Sequence, residues 1–248
     1  YKKTTAYRRI ERRMSIHQID RIASYVRLLQ ENPNELNFLF KELLIGVTSF
    51  FRDPQIWEEL KNTVIVPLLK KSKNNPTLRA WIPGCSTGEE AYSLAIMFKE
   101  AMDMLKQTKY ITLQIFATDL DSDAIDKARE GIYPSNVAAD VSSERLNRFF
   151  IHKDSNYEIS ESIREMVIFA NQNIIMDPPF TKLDFVSCRN LLIYFTQELQ
   201  KKLIPLFHYT LNPGGILILG TSETIGNYAH LFKSNKSKSR IFRRLDST

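Results

Sequence analysis

The segment Trp81-Ile82-Pro83-Gly84-Cys85-Ser86-Thr87-Gly88-Glu89-Glu90 reads as an apolar run that enters a turn of small residues and leaves as a helix. Such a turn opens backbone N–H groups to a ligand at a helix N-terminus. It lacks the Gly-x-x-x-x-Gly-Lys pattern of a triphosphate loop and the full Gly-x-Gly-x-x-Gly dinucleotide fingerprint, so a nucleoside without phosphates fits it better. The structural alternative is that Ser86 or Thr87 caps the helix and Glu89 or Glu90 completes a capping box. About thirty residues on, Phe116-Ala117-Thr118-Asp119-Leu120-Asp121 places acids at the end of a second apolar run. A carboxylate there can accept both ribose hydroxyls; alternatively Asp119 or Asp121 caps the next helix. Turn and acid together point to an adenosine-type ligand.

Two further motifs follow later runs. Asn171-Gln172-Asn173-Ile174 offers side-chain amides able to read an adenine edge, and Ser187-Cys188-Arg189-Asn190-Leu191-Leu192-Ile193-Tyr194-Phe195 offers polar groups followed by an aromatic pair. In the bland reading Tyr194 and Phe195 are core and Asn190 is a turn residue. Asp177-Pro178-Pro179-Phe180 matches the pattern with which amino-group methyltransferases hold a flipped base. It precedes the fourth apolar run instead of following it, so it reads as a rigid turn. The four histidines, His17, His152, His208 and His230, have no metal-ligand spacing and read as surface or satisfied core residues.

These motifs need a scaffold. Apolar residues recur at helical spacing over residues 4–30, Asn32-Pro33-Asn34 stops the pattern, and helical stretches follow over 35–45 and around Trp57, Leu60 and Leu68. After Pro76, short β-rich runs alternate with helical ones, which predicts β-α units and a parallel sheet. Strands are expected at 78–82, 112–118, 165–170, 183–187 and 216–219, with a last edge strand at 239–244. Helices are expected at 89–105, 123–130, 142–150 and 196–211. No internal repeat is present, and low complexity is confined to a Lys/Ser-rich loop near residue 236.

The 248 residues are 43% hydrophobic and 25% charged, which excludes a disordered chain, collagen or a disulfide scaffold. A net charge of +6 conventionally raises nucleic acid as a partner. Its distribution is more specific: residues 1–30 hold eight cations against Glu11 and Asp20, and residues 231–248 hold six against Asp246. The body between these basic ends is acidic. Cys85 and Cys188 are far apart and outside any C-x-x-C spacing, so free thiols in a reducing, cytoplasmic setting are expected. No apolar run approaches the ~18 residues that cross a bilayer. Because the chain opens at Tyr1 within a basic amphipathic pattern, a fragment of a longer protein is expected.

Taken together, the motifs resemble the CheR-type chemotaxis receptor methyltransferases, which methylate receptor glutamates with S-adenosylmethionine. The resemblance rests on Tyr7-Arg8-Arg9-Ile10-Glu11-Arg12-Arg13-Met14, Thr48-Ser49-Phe50-Phe51-Arg52, Ser86-Thr87-Gly88-Glu89-Glu90, Ala117-Thr118-Asp119-Leu120-Asp121, Ala128-Arg129-Glu130-Gly131-Ile132-Tyr133, Cys188-Arg189-Asn190 through Tyr194-Phe195, and Gly220-Thr221-Ser222-Glu223. It implies an α/β fold: a class I (Rossmann-like) methyltransferase with a mostly parallel seven-stranded sheet, its first and fourth strands adjacent, preceded by a small all-helical N-terminal domain. Residues 1–70 would form the helical domain and linker, and residues 71–248 the cofactor-binding domain with a small insert around 150–166. Cys85 and Cys188 would then be spatial neighbours.

By motif position the resemblance implies that Thr48, Arg52, Glu90, Asp119, Asn173, Ile174, Arg189 and Asn190 surround the cofactor, whose product is S-adenosylhomocysteine. Arg52 and Tyr194 would lie nearest the transferred methyl and orient the acceptor carboxylate. Arg9, Arg12 and Arg13 would dock an acidic receptor helix bundle, with a monomeric protein and no nucleic acid expected. Departures from the family are Gly46, where an Asn often meets the cofactor, and Ser15, where a further Arg is common. Residues 152–164 carry no Gly, so tethering to a receptor C-terminal pentapeptide is not expected. The competing readings are a nucleic-acid amino-group methyltransferase and a non-catalytic cofactor-binding regulatory module.

Overall fold

The computed structural model describes residues 2–44, 46–71, 77–105, 111–234 and 240–246. Its helices are α1 Lys3–Ile16, α2 Ile22–Glu31, α3 Pro33–Leu43, α4 Pro54–Leu60, α5 Val66–Lys71, α6 Glu89–Leu105, α7 Ser122–Glu130, α8 Ser143–Phe149, α9 Glu161–Arg164 and α10 Gln197–Thr210. Its strands are β1 Thr77–Pro83, β2 Thr112–Asp119, β3 Ile132–Pro134, β4 Phe150–Lys153, β5 Asn156–Ile159, β6 Val167–Asn171, β7 Leu183–Cys188, β8 Leu211–Leu219, β9 Phe232–Ser234 and β10 Ile241–Arg244.

The helical period over residues 4–30 is two helices, not one. His17 ends α1, and Gln18 takes a left-handed φ of 54°. Its N–H bonds the Ser15 carbonyl while the Ile19 N–H bonds that of Met14, the paired closure of a Schellman turn. No Gly or Pro marks the break, so the apolar spacing runs across it. Asn32-Pro33-Asn34 ends α2 and also starts α3: the Asn32 side chain accepts from the N–H groups of Asn34 and Glu35, and Pro33 occupies the first turn. A π-helical segment, Lys61–Ile65, joins α4 to α5 just ahead of Pro67, which has no N–H to continue the α ladder.

The large sheet has seven strands in the order β6-β2-β1-β7-β8-β10-β9. Five are parallel; β10 runs antiparallel to β8, and β9 antiparallel to β10. This is the class I methyltransferase sheet, with the first and fourth strands of the parallel run side by side. Central strands such as β1 are apolar almost throughout because helices cover both faces. Trp81, fully buried in β1, satisfies its indole N–H on Thr118 Oγ1 at 3.0 Å.

A second sheet, in the order β3-β5-β4, is built from short strands that the periodicity did not announce. Runs of three or four residues are too short to carry an alternating pattern. Its Tyr133 and Phe150 pack edge-on against Phe50, so the small sheet clamps the segment that follows the N-terminal helices. The strand expected at the sheet edge is described over Ile241–Arg244, but it lies between β8 and β9, and β9 forms the edge. Ser239 and the Lys/Ser-rich loop lie outside the described residues, as does Ile45.

Candidate functional site

Parallel sheets collect ligand sites beyond the C-terminal ends of their strands, where the strand order reverses. Here the turn after β1 and the loops after β2, β6 and β7 meet Leu44, residues 46–49 and Arg52 around one cleft. Thr48, Arg52, Glu90, Asp119, Asn173, Ile174, Arg189, Asn190 and Tyr194 all line it. Leu44, Val47, Leu120, Ala124, Leu191 and Phe195 give it apolar walls.

The turn after β1 is shaped by its backbone. Gly84 and Cys85 both donate to the Thr118 carbonyl, at 2.7 and 3.0 Å. Gly84 has φ +72°, which favours glycine, and a Cβ there would also crowd the Leu191 side chain at 2.9 Å. Ser86 also takes a positive φ, and its buried hydroxyl has no hydrogen-bond partner among the described residues. The capping box does not form: Thr87 Oγ1 donates to the Glu89 carboxylate of the same turn.

The two acids after β2 divide their duties. Asp121 caps α7, accepting from Asp123 and Ala124, whereas Asp119 does not cap. Asp119 accepts from Ser86 N through Oδ2 at 2.8 Å and from Asp121 N through Oδ1 at 3.0 Å. Each oxygen keeps a free lone pair for a further donor.

Arg189 has its side chain only 1% exposed. Its Nη2 donates to the Arg52 carbonyl at 2.5 Å and to Asp53 Oδ2 at 2.9 Å, and the guanidinium lies over the Trp57 ring. Trp57 Nε1 donates to the same carbonyl, and Phe51 N donates to Ser93 Oγ. Phe51 and Asp53 are held at positive φ by this grip. The Arg52 side chain folds back to the Val47 carbonyl at 3.1 Å.

Glu90 sits against Arg189 Nη1 at 3.8 Å and accepts from Ser187 Oγ at 2.6 Å. Burial pushes its carboxyl above the ordinary value, opposed by Arg189 and the Ser187 hydroxyl. Cys85 and Cys188 are buried free thiols, and burial raises both well above the usual thiol range. They are poor nucleophiles at neutral pH. β1 and β7 pair side by side, but Cys85 packs into one hydrophobic cluster and Cys188 into the other.

Asp177-Pro178-Pro179-Phe180 stays outside the cleft lining. It is a turn closed by Asn173 N on Asp177 and Gln172 Nε2 on the Pro178 carbonyl, with Phe180 stacked on Phe116 at 4.4 Å. His17 bonds Glu35, His208 meets the Leu245 carbonyl, and His152 packs on Tyr157. Sequence reasoning placed Ser86, Ser187 and Glu223 within motifs but gave neither them nor Asp53 the hydrogen-bonding roles seen here. A single sequence shows each only as a small polar or acidic residue near a turn.

A family model described as CheR methyltransferase, SAM binding domain, matches residues 46–241. The chain belongs to the CheR methyltransferase family. A second model, the CheR methyltransferase all-alpha domain, matches residues 1–44. An uncharacterised 104.1 kDa protein of Rhodobacter capsulatus is 42% identical over 99% of this chain, which spans about a quarter of that protein's length (26%). The chemotaxis protein methyltransferase 1 of Pseudomonas aeruginosa is 33% identical over 88% of this chain and 81% of its own. The chemotaxis protein methyltransferase 2 of Vibrio cholerae is 31% identical over 84% and 72% respectively. Among solved structures, the DszA carbon methyltransferase covers 67% of this chain and 35% of its own at TM-score 0.41 and 16% identity, a likeness too distant to carry an argument. S-adenosylmethionine is the family's cofactor, and the cleft presents polar groups still open to a ligand: the Ser86 hydroxyl, without a hydrogen-bond partner among the described residues, and the remaining lone pairs of Asp119. No described helix is long and apolar enough to cross a membrane.

Proposed function

We propose that the chain transfers a methyl group from S-adenosylmethionine to glutamate side chains of a chemoreceptor helix bundle, giving glutamyl methyl esters and S-adenosylhomocysteine. The supporting observation is the gathering of Arg52, Asp119, Asn190 and Tyr194 around one cleft, with Arg52 fixed through its backbone by Arg189 and Trp57. We take the chain to act as a monomer on the cytoplasmic side of the membrane, without pentapeptide tethering.

When bound, S-adenosylmethionine supplies an electrophilic methyl on a sulfonium. Asp119 would hold the ribose hydroxyls, and Thr48, Glu90, Asn173, Ile174, Arg189 and Asn190 would hold the remainder of the cofactor. The acceptor needs no general base, because a glutamate with pKa ~4.3 is already ionised at neutral pH. The cleft must instead strip water from the carboxylate and hold it in line. Arg52 would receive it through a charge-assisted hydrogen bond, and Tyr194 would fix the remaining oxygen lone pair.

The test is incubation of the chain with labelled S-adenosylmethionine and receptor-bearing membranes of the source organism. Glutamyl esters release methanol in base. Alkali-stable label in nucleic acid would overturn the glutamate acceptor, and calorimetric cofactor binding without label on any receptor would overturn catalysis.

A further inference from the structure

Gly220-Thr221-Ser222-Glu223 follows β8, directly beside the end of β7. Glu223 is 3% exposed, and a carboxylate so buried is costly unless several donors meet it. Three backbone N–H groups do: Oε2 accepts from Gly220 at 2.7 Å and Asn190 at 2.9 Å, and Oε1 accepts from Leu192 at 2.7 Å. Two of the three donors belong to the segment that lines the cleft with Arg189, Asn190, Leu191 and Tyr194.

The carboxylate bears on the backbone of Asn190, whose φ of 59° is left-handed, a conformation that asparagine tolerates better than other residues with a Cβ and that the bond from its N–H to Glu223 helps to hold. Gly220 makes room for the grip, since a Cβ there would lie 2.8 Å from Glu223 Oε2 and 3.0 Å from Asn190 N. Arg240 Nη1 donates to the Glu223 carbonyl at 2.9 Å and anchors its other side.

We infer that Glu223 is a positioning residue of the cofactor site, tying the backbone of residues 190–192 to the end of β8 so that Asn190 and Tyr194 are presented to the cleft. This rests on the assignment of Asn190 to the cofactor proposed above. The carboxylate is required because it accepts at both ends. A glutamine turns one acceptor into an NH2 and leaves at least one of the three N–H groups unpaired.

The experiment is calorimetric titration of S-adenosylhomocysteine into the full chain and four variants, with KM and kcat measured on receptor-bearing membranes. Glu223→Gln should weaken binding at least tenfold and raise KM for S-adenosylmethionine more than KM for the receptor, with helical content retained. Gly220→Ala, which keeps the carboxylate but crowds it, should move binding the same way and serves if Glu223→Gln fails to fold. Glu100→Gln, which breaks a buried pairing with Arg145 and Lys61 outside the cleft, should lower the melting temperature and leave affinity unchanged. Asn190→Ala should weaken binding. If it does and both Glu223→Gln and Gly220→Ala stay within twofold of the parent, the positioning role is overturned. If Asn190→Ala itself has no effect, the site assignment falls first and the inference with it.

Discussion

Arg189 reaches back 137 residues to donate from Nη2 to the carbonyl of Arg52. The end of β7 thereby grips the loop that follows the N-terminal helices, and both line the cleft. The grip uses the whole planar group: Nη2 serves the Arg52 carbonyl and Asp53, Nη1 faces Glu90, and the plane lies on Trp57.

Arg189→Lys should therefore loosen residues 46–53. Losing charged hydrogen bonds at a buried site costs about 1.5–3 kcal/mol, and thermal unfolding should show a drop of several degrees. Proteolysis within residues 46–53 should quicken, and protection by S-adenosylhomocysteine should fall. Unchanged melting and protection would show that the fork does not hold the loop.

Arg52→Ala should cut methyl transfer well over tenfold, read as initial rates of base-labile label. Its carbonyl bonds to Arg189 and Trp57 are backbone interactions and survive the substitution, so the melting temperature should move little. Near-normal turnover would remove Arg52 from the acceptor site.

Glu35 gives a pH signature. It is 2% exposed and accepts from Arg13 at 2.9 and 2.5 Å, from Tyr25 at 2.7 Å, and meets His17 Nε2 at 2.7 Å. The Arg13 hydrogen bonds, helped by Tyr25 and His17 against burial, lower its carboxyl from 4.5 to about 2. A lowered carboxyl stabilises the fold above its unfolded value and loses that contribution as pH falls from about 4.5 toward 2. The stability gap between the parent and Glu35→Gln should be widest near neutrality and shrink through that window. A gap independent of pH would mean that the ionised carboxylate is not what matters.

The basic helix α1 separates into two kinds of arginine. The Arg13 side chain is only 13% exposed and committed to Glu35, so Arg13→Glu would set two carboxylates together and should destabilise the helical unit outright. Arg12 is 62% exposed and Arg9 31%, both near Glu42. Arg9→Gln with Arg12→Gln, which removes the charge without setting carboxylates against Glu42, should leave folding intact while slowing receptor methylation and flattening its salt dependence. If neither rate nor salt dependence changes, the docking role of α1 falls.

Much of the site was legible because strand ends and turns carry their chemistry in local types. The run through Trp81 into Ser86-Thr87-Gly88, and the acid Asp119 at the end of β2, announced a nucleoside cleft without any contact map. The break at Gln18 was hidden, because a left-handed residue other than Gly leaves no mark in the pattern of apolar spacing. The strands of the small sheet were equally hidden, being shorter than the period that reveals a strand.

The sequence by itself determined the helical start, the parallel sheet, the ligand class and which residues meet at the cleft, since each depends on short-range pattern or on motif. Only the tertiary structure decided what those residues are tied to. It separated Asp119 from the capping Asp121, turned Arg13 inward onto Glu35, and gave Glu223 three backbone donors from two strand ends. Most of these partners lie 22 to 33 positions apart, and Arg189 meets Arg52 across 137. They are fixed by which groups burial forces to find a partner, and that is a property of the folded whole.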